Sequence, residues 1–422
     1  MNSQYDELTR AMRTAVLPRL ELDTVERLIN DRTGLVKEIA AVIQQISVET
    51  NRYLPSEETQ ELASSMADEI TGVGPLRELM EDSSVSDILV NGPDNIFIET
   101  GGKLVKTSKR FIDNQQLTEI AKRLVSRVGR RIDESQPLVD ARMSDGSRLN
   151  VVISPVALDG TAISIRKFSK VSRTFVDLVG WGTLDERMAN FLSIAAKCQV
   201  NIVISGGTGS GKTTLLNVLS QYINNDERVI TLEDAAELKL QQPHVVRLET
   251  RMAGVENSGQ VNMRDLMINT LRMRPDRIIV GECRGGETFE MLQAMNTGHD
   301  GSMTTLHANT PRDALARMEN MVMMANLNLP VESIRRNISS AVNLIIQVSR
   351  LYDGSRKVTH ISEIMGQEGE VITLQDIFTY EINGEGNDSS GSFVTPGLST
   401  RSAVYRKARE HACDGFLKAI FN

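Results

Sequence analysis

The residues best placed to do chemistry form the run Gly206-Gly207-Thr208-Gly209-Ser210-Gly211-Lys212-Thr213, which fits the pattern G-x-x-x-x-G-K-[ST]. It follows the apolar stretch Asn201–Ser205, which reads as a strand, and precedes a helical stretch through Leu219. Glycines let successive backbone N–H groups turn inward around phosphates, and the helix start adds a partial positive charge. In this reading Lys212 reaches the outer phosphates, the Thr213 hydroxyl ligates magnesium, and Thr214 extends the binding turn. The expected ligands are ATP and Mg2+.

Acidic residues at strand ends come next. Arg277-Ile-Ile-Val-Gly-Glu282 has the form of a Walker B strand, with Glu282 at the edge where parallel sheets bind ligands. Such a carboxylate holds magnesium, directly or through water, or polarises the attacking water; capping the next helix is the plainer alternative. Glu233 and Asp234 follow the apolar run Val229–Leu232 and could reach the same edge, or cap a helix.

Placing these residues requires an alternation of strands and helices. Beyond about Asp185, Asn201–Ser205, Arg228–Leu232, Arg277–Val280 and Asn343–Val348 read as short buried strands between helices, the pattern of a predominantly parallel α/β sheet. A polar loop is expected over Glu385–Ser392 and a last helix over Ser402–Phe421. Upstream, Leu76 to Phe168 reads as an α+β domain with an antiparallel sheet. Its strands include Ser86–Val90, Ile96–Glu99 and Leu149–Ser154, with turns at Gly101-Gly102, Asp145-Gly146 and Asp159-Gly160. Asp113–Gly129 reads as an amphipathic helix with Leu117, Ile120, Leu124 and Val128 inward. Before that, Leu35, Ile39, Val42, Ile43 and Ile46 recur at helical spacing, as do Leu62, Met66 and Ile70, and Thr71–Pro75 reads as a hinge. The division expected is a helical module over 1–71, an α+β domain over 72–170, a linker over 171–184 and the phosphate-loop domain over 185–422.

The chain has 422 residues, 40% of them hydrophobic and 24% charged, with a net charge of −8, so a folded protein of two or three domains is expected. No broad attraction to nucleic acid follows from that charge. The start lacks the basic end and apolar run of a secretory signal, and no apolar stretch is long enough to cross a bilayer, so a cytoplasmic protein is expected. Cys198, Cys283 and Cys413 are widely spaced and form neither a disulfide framework nor a zinc pattern.

In order and spacing, the phosphate loop, Leu232-Glu-Asp234, Arg274–Arg284 and Met295–Ala308 resemble the secretion and pilus-assembly traffic ATPases. Asp87-Ile-Leu-Val-Asn-Gly-Pro93 and Asp140–Arg148 further resemble the tight-adherence (Tad) pilus branch, CpaF type. The resemblance covers roughly residues 72 to 380. It implies a RecA-like ATPase domain preceded by a PAS-like domain, a homohexameric ring, and a motor that moves pilin subunits through an inner-membrane platform protein. The protein would then sit at the inner membrane through its partners, with other pilus or secretion machinery and without nucleic acid.

Within that family, Glu233 would belong to the Asp box and act as general base, Glu282 would be the Walker B acid, and His299 and His307 would form the His box as sensors of nucleotide state. Core or cap histidines are the plainer reading, and a zinc pair is disfavoured because no nearby cysteine completes a site. Ring motors need positive charge delivered onto the γ-phosphate. Arg142 and Arg148, flanking the Asp145-Gly146 turn, are the candidates, in cis or from a neighbouring subunit; Arg166, Arg272 and Arg284 compete with them. No paired C-x-x-C insertion is present, which favours the Tad or type IV secretion side over type II secretion. Two other functions fit the loop: a nucleotide-gated scaffold that does not cycle, and a RecA-like nucleic-acid motor, which the acidic balance and 4% aromatic content disfavour.

Overall fold

The structure is a computed structural model that describes residues 11–12, 14–20, 24, 27–28, 31–50, 53–71, 73–168, 172–251, 259–325, 327–383 and 389–421. The chain divides into two compact units, Met1–Lys170 and Val171–Asn422.

In the first unit, helices Arg32–Thr50 and Ser56–Ile70 pack on each other through Leu35, Ile39, Ile43 and Ile46 against Leu62 and Met66, giving this pair its own core. The segment expected as a hinge is tied down, although Gly72 itself lies outside the described residues. Thr71 Oγ donates to the Ala67 carbonyl at 2.8 Å, Val73 N–H to the Asp68 carbonyl at 3.2 Å, and Gly74–Leu76 forms a buried 3-10 turn. Gly74 has φ +50°, and a Cβ there would lie 2.5 Å from Ile120 Cδ1, so this glycine serves close packing and a left-handed turn. Buried Glu69 completes the attachment by accepting from Gln116 Nε2 at 2.9 Å, while its carbonyl accepts from Arg123 Nη1 at 2.8 Å.

The rest of this unit is a six-stranded antiparallel sheet of β1 (Val85–Asn91), β2 (Ile96–Thr100), β3 (Lys103–Lys106), β4 (Leu138–Arg142), β5 (Arg148–Val152) and β6 (Ala162–Arg166), in the order β3-β2-β1-β6-β5-β4. Gly101 and Gly102, with φ +57° and +78°, make the two-residue hairpin between β2 and β3. Helix Asn114–Arg127 is capped by Asp113, which accepts from Gln116 N–H, and packs Leu117, Ile120, Leu124 and Val125 into the sheet core. Val125 takes the place expected for Val128, which is the half-buried residue just past the helix end.

The second unit holds a nine-stranded mixed sheet of β7 (Ile202–Gly206), β8 (Val229–Glu233), β9 (Val245–Glu249), β10 (Arg277–Val280), β11 (Met303–Leu306), β12 (Leu344–Arg350), β13 (Arg356–Glu368), β14 (Val371–Ile382) and β15 (Gly391–Val394). Its order is β15-β14-β13-β12-β7-β11-β10-β8-β9. The six strands from β12 to β9 run parallel, and β13, β14 and β15 add an antiparallel meander. The parallel strands β7, β8, β10 and β11 are buried throughout, because separate hydrophobic clusters cover the sheet.

Three expectations change here. Within residues 171–184, expected as a linker, lies helix Phe175–Gly180, started by a Thr174/Asp177 capping box, and Phe175, Leu178 and Leu184 are part of this unit's core. Of the expected loop Glu385–Ser392, residues 385–388 lie outside the described residues; Ser389 is buried and Gly391 opens β15. The last helix is two helices, Ala403–Glu410 and Asp414–Phe421, separated by a turn in which Ala412 has φ +53°.

Candidate functional site

Strand β7 ends in the phosphate loop. A Cβ on Gly206 would collide with the Val348 carbonyl oxygen, which fixes glycine at the strand end. Gly207, Thr208 and Gly209 are exposed, Gly209 and Gly211 have φ +70° and +102°, and helix Lys212–Ser220 begins at once, bringing half-buried Thr213 and Thr214 into its first turn. Buried Lys212 donates from Nζ to the carbonyls of Gly206 at 2.9 Å and Gly207 at 2.8 Å. Burial lowers its pKa against the opposing pull of Glu282.

Parallel register brings the ends of β8, β10 and β11 to the same edge of the sheet as the end of β7. Just past β11, His307 lies 3.5 Å from Lys212 Nζ through Nδ1 and 3.1 Å from Glu282 Oε1 through Nε2. Because lysine can only donate, this pattern assigns the neutral ring with its proton on Nε2. Burial and the charge of Lys212 hold the His307 pKa below its ordinary value. The other oxygen of Glu282 accepts from Arg284 Nη2 at 2.9 Å, and Arg284 Nη1 lies 3.3 Å from Asp234 Oδ2. Burial alone would raise the Glu282 pKa; the Arg284 hydrogen bond and the charges of Arg284, His307 and Lys212 outweigh it and keep the carboxylate ionised.

Glu233, the last residue of β8, has the opposite environment. It is 3% exposed, its Oε2 accepts from the Glu237 and Leu238 N–H groups at 2.6 and 2.9 Å, and its Oε1 is buried with no hydrogen-bond partner among the described residues. Desolvation outweighs those hydrogen bonds and pushes its pKa up to about 7. Gly281 passes directly over it, since a Cβ there would lie 2.9 Å from Glu233 Cγ.

The structure does not bring His299 to this cluster. His299 precedes β11 and His307 follows it, so the strand's length, roughly 13 Å at ~3.3 Å per residue, separates them. The His299 backbone N–H caps the Ala294 carbonyl at 3.2 Å, its ring Nδ1 lies 3.3 Å from that oxygen, and its carbonyl accepts from Ser302 Oγ. The cap reading describes this residue, and the sensing role expected for it has no support in its position.

Arg142 and Arg148 belong to the first unit, where they are cross-strand partners at the end of the hairpin turned by Asp145-Gly146. Arg148 is in turn opposite Arg166, giving three arginines in a row across β4, β5 and β6. Arg166 pairs with Asp87 at 3.2 Å, and the Arg142 guanidinium stands 5.9 Å over the Phe168 ring.

Sequence reasoning missed a cleft of about 210 Å³ beside the phosphate loop, lined by Ser210, Gly211 and Thr214 together with Trp181, Ser355 and Arg356. The Arg356 Nε donates to the Gly209 carbonyl at 2.9 Å. Asp353-Gly354 was a readable hairpin signal for the turn between β12 and β13; nothing in the pattern tied that turn to the loop 147 residues upstream.

Residues 69–386 match the model of a family described as type II/IV secretion system protein. A Mycobacterium tuberculosis protein named for conjugal transfer is 37% identical over 309 residues, covering 72% of this chain and 87% of that relative. The type IV secretion system protein VirB11 of Bartonella henselae is 32% identical over 333 residues, covering 69% of this chain and 92% of its own length. Among solved structures, the VirB11 ATPase from the Brucella suis type IV secretion system, in complex with sulphate, is 28% identical, with coverage of 70% of this chain and 97% of that one and a TM-score of 0.38.

Proposed function

The chain belongs to the type II/IV secretion ATPase family, and on that premise we propose that it is a hexameric ATP-hydrolysing motor driving assembly of a Tad-type pilus or secretion through an inner-membrane platform. The observation that carries the reading is the meeting of Lys212, Glu282 and Glu233 at one sheet edge, with the two carboxylates pushed apart in pKa. Glu282 stays ionised, and Glu233 titrates near neutrality. Two carboxylates separated in this way take different roles.

Lys212 and the loop N–H groups bind the phosphates of ATP. Hard oxygen donors, the Thr213 hydroxyl and the Glu282 carboxylate, fit a magnesium ion, which supplies charge neutralisation to the phosphates. Glu233 acts as general base: its Oε1 has a lone pair uncommitted within the described residues, and a pKa near the working pH suits proton abstraction from the attacking water. His307 links Lys212 to Glu282 and so reports on what each of them holds. Arg142 and Arg148 supply positive charge to the triphosphate, in cis or from a neighbouring subunit; they are cross-strand partners beside the Asp145-Gly146 turn.

The strand order of the first unit, with a helix packed into its core, supports the PAS-like reading, and the parallel strands of the second unit support the RecA-like one. The Tad assignment rests on Asp87–Pro93 and Asp140–Arg148. Association with the inner membrane through partners is part of the same reading; no helix among the described residues is long and apolar enough to cross a membrane.

Phosphate release from the purified ring tests the proposal. Lys212→Ala and Glu233→Gln should each lower turnover by at least about 100-fold, the scale of a lost general base. Full turnover in both would overturn it.

A further inference from the structure

Strand β12 carries one polar side chain in an otherwise apolar buried run. Leu344, Ile345, Ile346 and Val348 are buried hydrophobic residues, and among them stands Gln347, which is 1% exposed. Its Nε2 donates to the carbonyls of Ala308 at 3.2 Å and Asn309 at 3.0 Å. Both partners are acceptors, so the amide is oriented with its nitrogen toward them. Its Oε1 is buried with no hydrogen-bond partner among the described residues. An apolar side chain of the same length would avoid that unmet acceptor, so the amide costs stability and its two donated bonds are what it contributes.

Those bonds hold the backbone just after His307. Ser205 on β7 is in register with Gln347 on β12 and with Leu306 on β11, so the Gln347 amide reaches across the strand that enters the phosphate loop. Ser205 Oγ lies 3.5 Å from the same Ala308 carbonyl. Next along β12, the Val348 carbonyl oxygen leaves no room for a Cβ on Gly206, so this strand braces the start of the phosphate loop and the segment after β11 together. Residues 307–310 link β11 to helix Pro311–Met323, and Thr310 fixes the far end of the link by accepting from Asp313 N–H at 3.1 Å. The His307 side chain is 41% exposed, so packing alone does not keep its ring 3.1 Å from Glu282 Oε1 and 3.5 Å from Lys212 Nζ. The backbone that carries the ring must be held instead.

We propose that Gln347 is a positioning residue of this site: by fixing the carbonyls of Ala308 and Asn309 it sets His307 between Lys212 and Glu282, and it affects turnover only through that ring. This rests on the ATPase reading and adds to it a residue that lies outside the phosphate loop and the acidic and histidine motifs.

Gln347→Met keeps the length of the side chain and removes its donors; Gln347→Glu keeps its shape and, when ionised, sets a carboxylate against two carbonyls. Each is made in the full chain, alone and together with His307→Ala, and steady-state phosphate release from ATP is measured beside calorimetric nucleotide affinity and the melting temperature. Each single variant should lower kcat by roughly tenfold, the scale on which partners that orient a working side chain act, with nucleotide affinity within about twofold of wild type. On the His307→Ala background the same substitutions should change turnover by less than about twofold, because a residue that acts through a ring has no effect once the ring is gone, whereas independent effects multiply. Either variant suffices if the other does not fold, and failure of both to fold would assign Gln347 to the core and overturn the inference. Multiplying effects, a loss of affinity as large as the loss of turnover, or wild-type turnover in the Gln347 variants or in His307→Ala would also overturn it while leaving the ATPase reading intact. A wild-type chain that releases no phosphate from ATP would overturn the ATPase reading and the inference with it.

Discussion

His307 holds Glu282 through Nε2 at 3.1 Å, and the opposite nitrogen of the same ring faces Lys212 at 3.5 Å. One neutral imidazole thus stands between a cation and an anion that also attract each other.

His307→Ala should lower ATP turnover by roughly 10- to 100-fold, the effect of removing a partner that orients a metal ligand. Gln keeps a donor and an acceptor and should recover part of that loss. Steady-state phosphate release with calorimetric nucleotide affinity checks this; a large fall in turnover with unchanged affinity would place the effect on Glu282 rather than on folding.

Arg284 engages Glu282 at 2.9 Å and Asp234 at 3.3 Å, so a cation approaching these carboxylates competes with a guanidinium. Arg284→Gln should therefore lower the magnesium concentration needed for half-maximal nucleotide binding by several-fold, about 1 kcal/mol for a half-exposed pair. A magnesium titration at fixed nucleotide measures it, and an unchanged midpoint would exclude the competition.

Glu233 gives a pH dependence of fixed sign. Its folded pKa is raised from 4.5 to about 7, so the folded chain keeps a proton that the unfolded chain releases. Stability from this group is fully present below about 4.5 and is lost as pH rises through about 7, on the order of 3 kcal/mol in all. Activity should run the other way if Glu233 has the proposed role of general base, since a base must be ionised: turnover should rise with pH through about 7. Glu233→Gln should abolish turnover and melt higher than wild type at pH 8, a gain absent at pH 5; parallel melting curves at the two pH values would refute the assignment.

Arg277 lies at the N-terminal end of β10, the edge opposite the phosphate loop. Fully buried, it pairs with Glu227 through Nε and, at 2.8 Å, through Nη2, and it donates to the Ala196 carbonyl at 2.6 Å. Arg277→Ala leaves a buried carboxylate unpaired, costing about 3–5 kcal/mol. The melting temperature should fall by roughly 10 °C. Nucleotide affinity at a temperature where the variant is folded should stay unchanged.

By itself the sequence determined the phosphate loop, the strands that carry it and the acids at their ends. Glycine spacing, a lysine-threonine pair and runs of buried β-branched residues are local properties that need no knowledge of distant segments. It assigned Glu282 and Glu233 different roles only through the family resemblance, because both follow apolar strands; the physical difference comes from the tertiary structure, which buries one and surrounds the other with cations. Nor could it separate His299 from His307, which flank the same four-residue strand β11; the parallel register of that strand against β7 sends them to opposite edges. Glycines at 72 and 74 read as freedom in the sequence, whereas Gly74 is where the chain packs against Ile120. Spacing along the chain decides which chemistry is present, and the packing of segments far apart decides the dielectric and the neighbours in which each group must work.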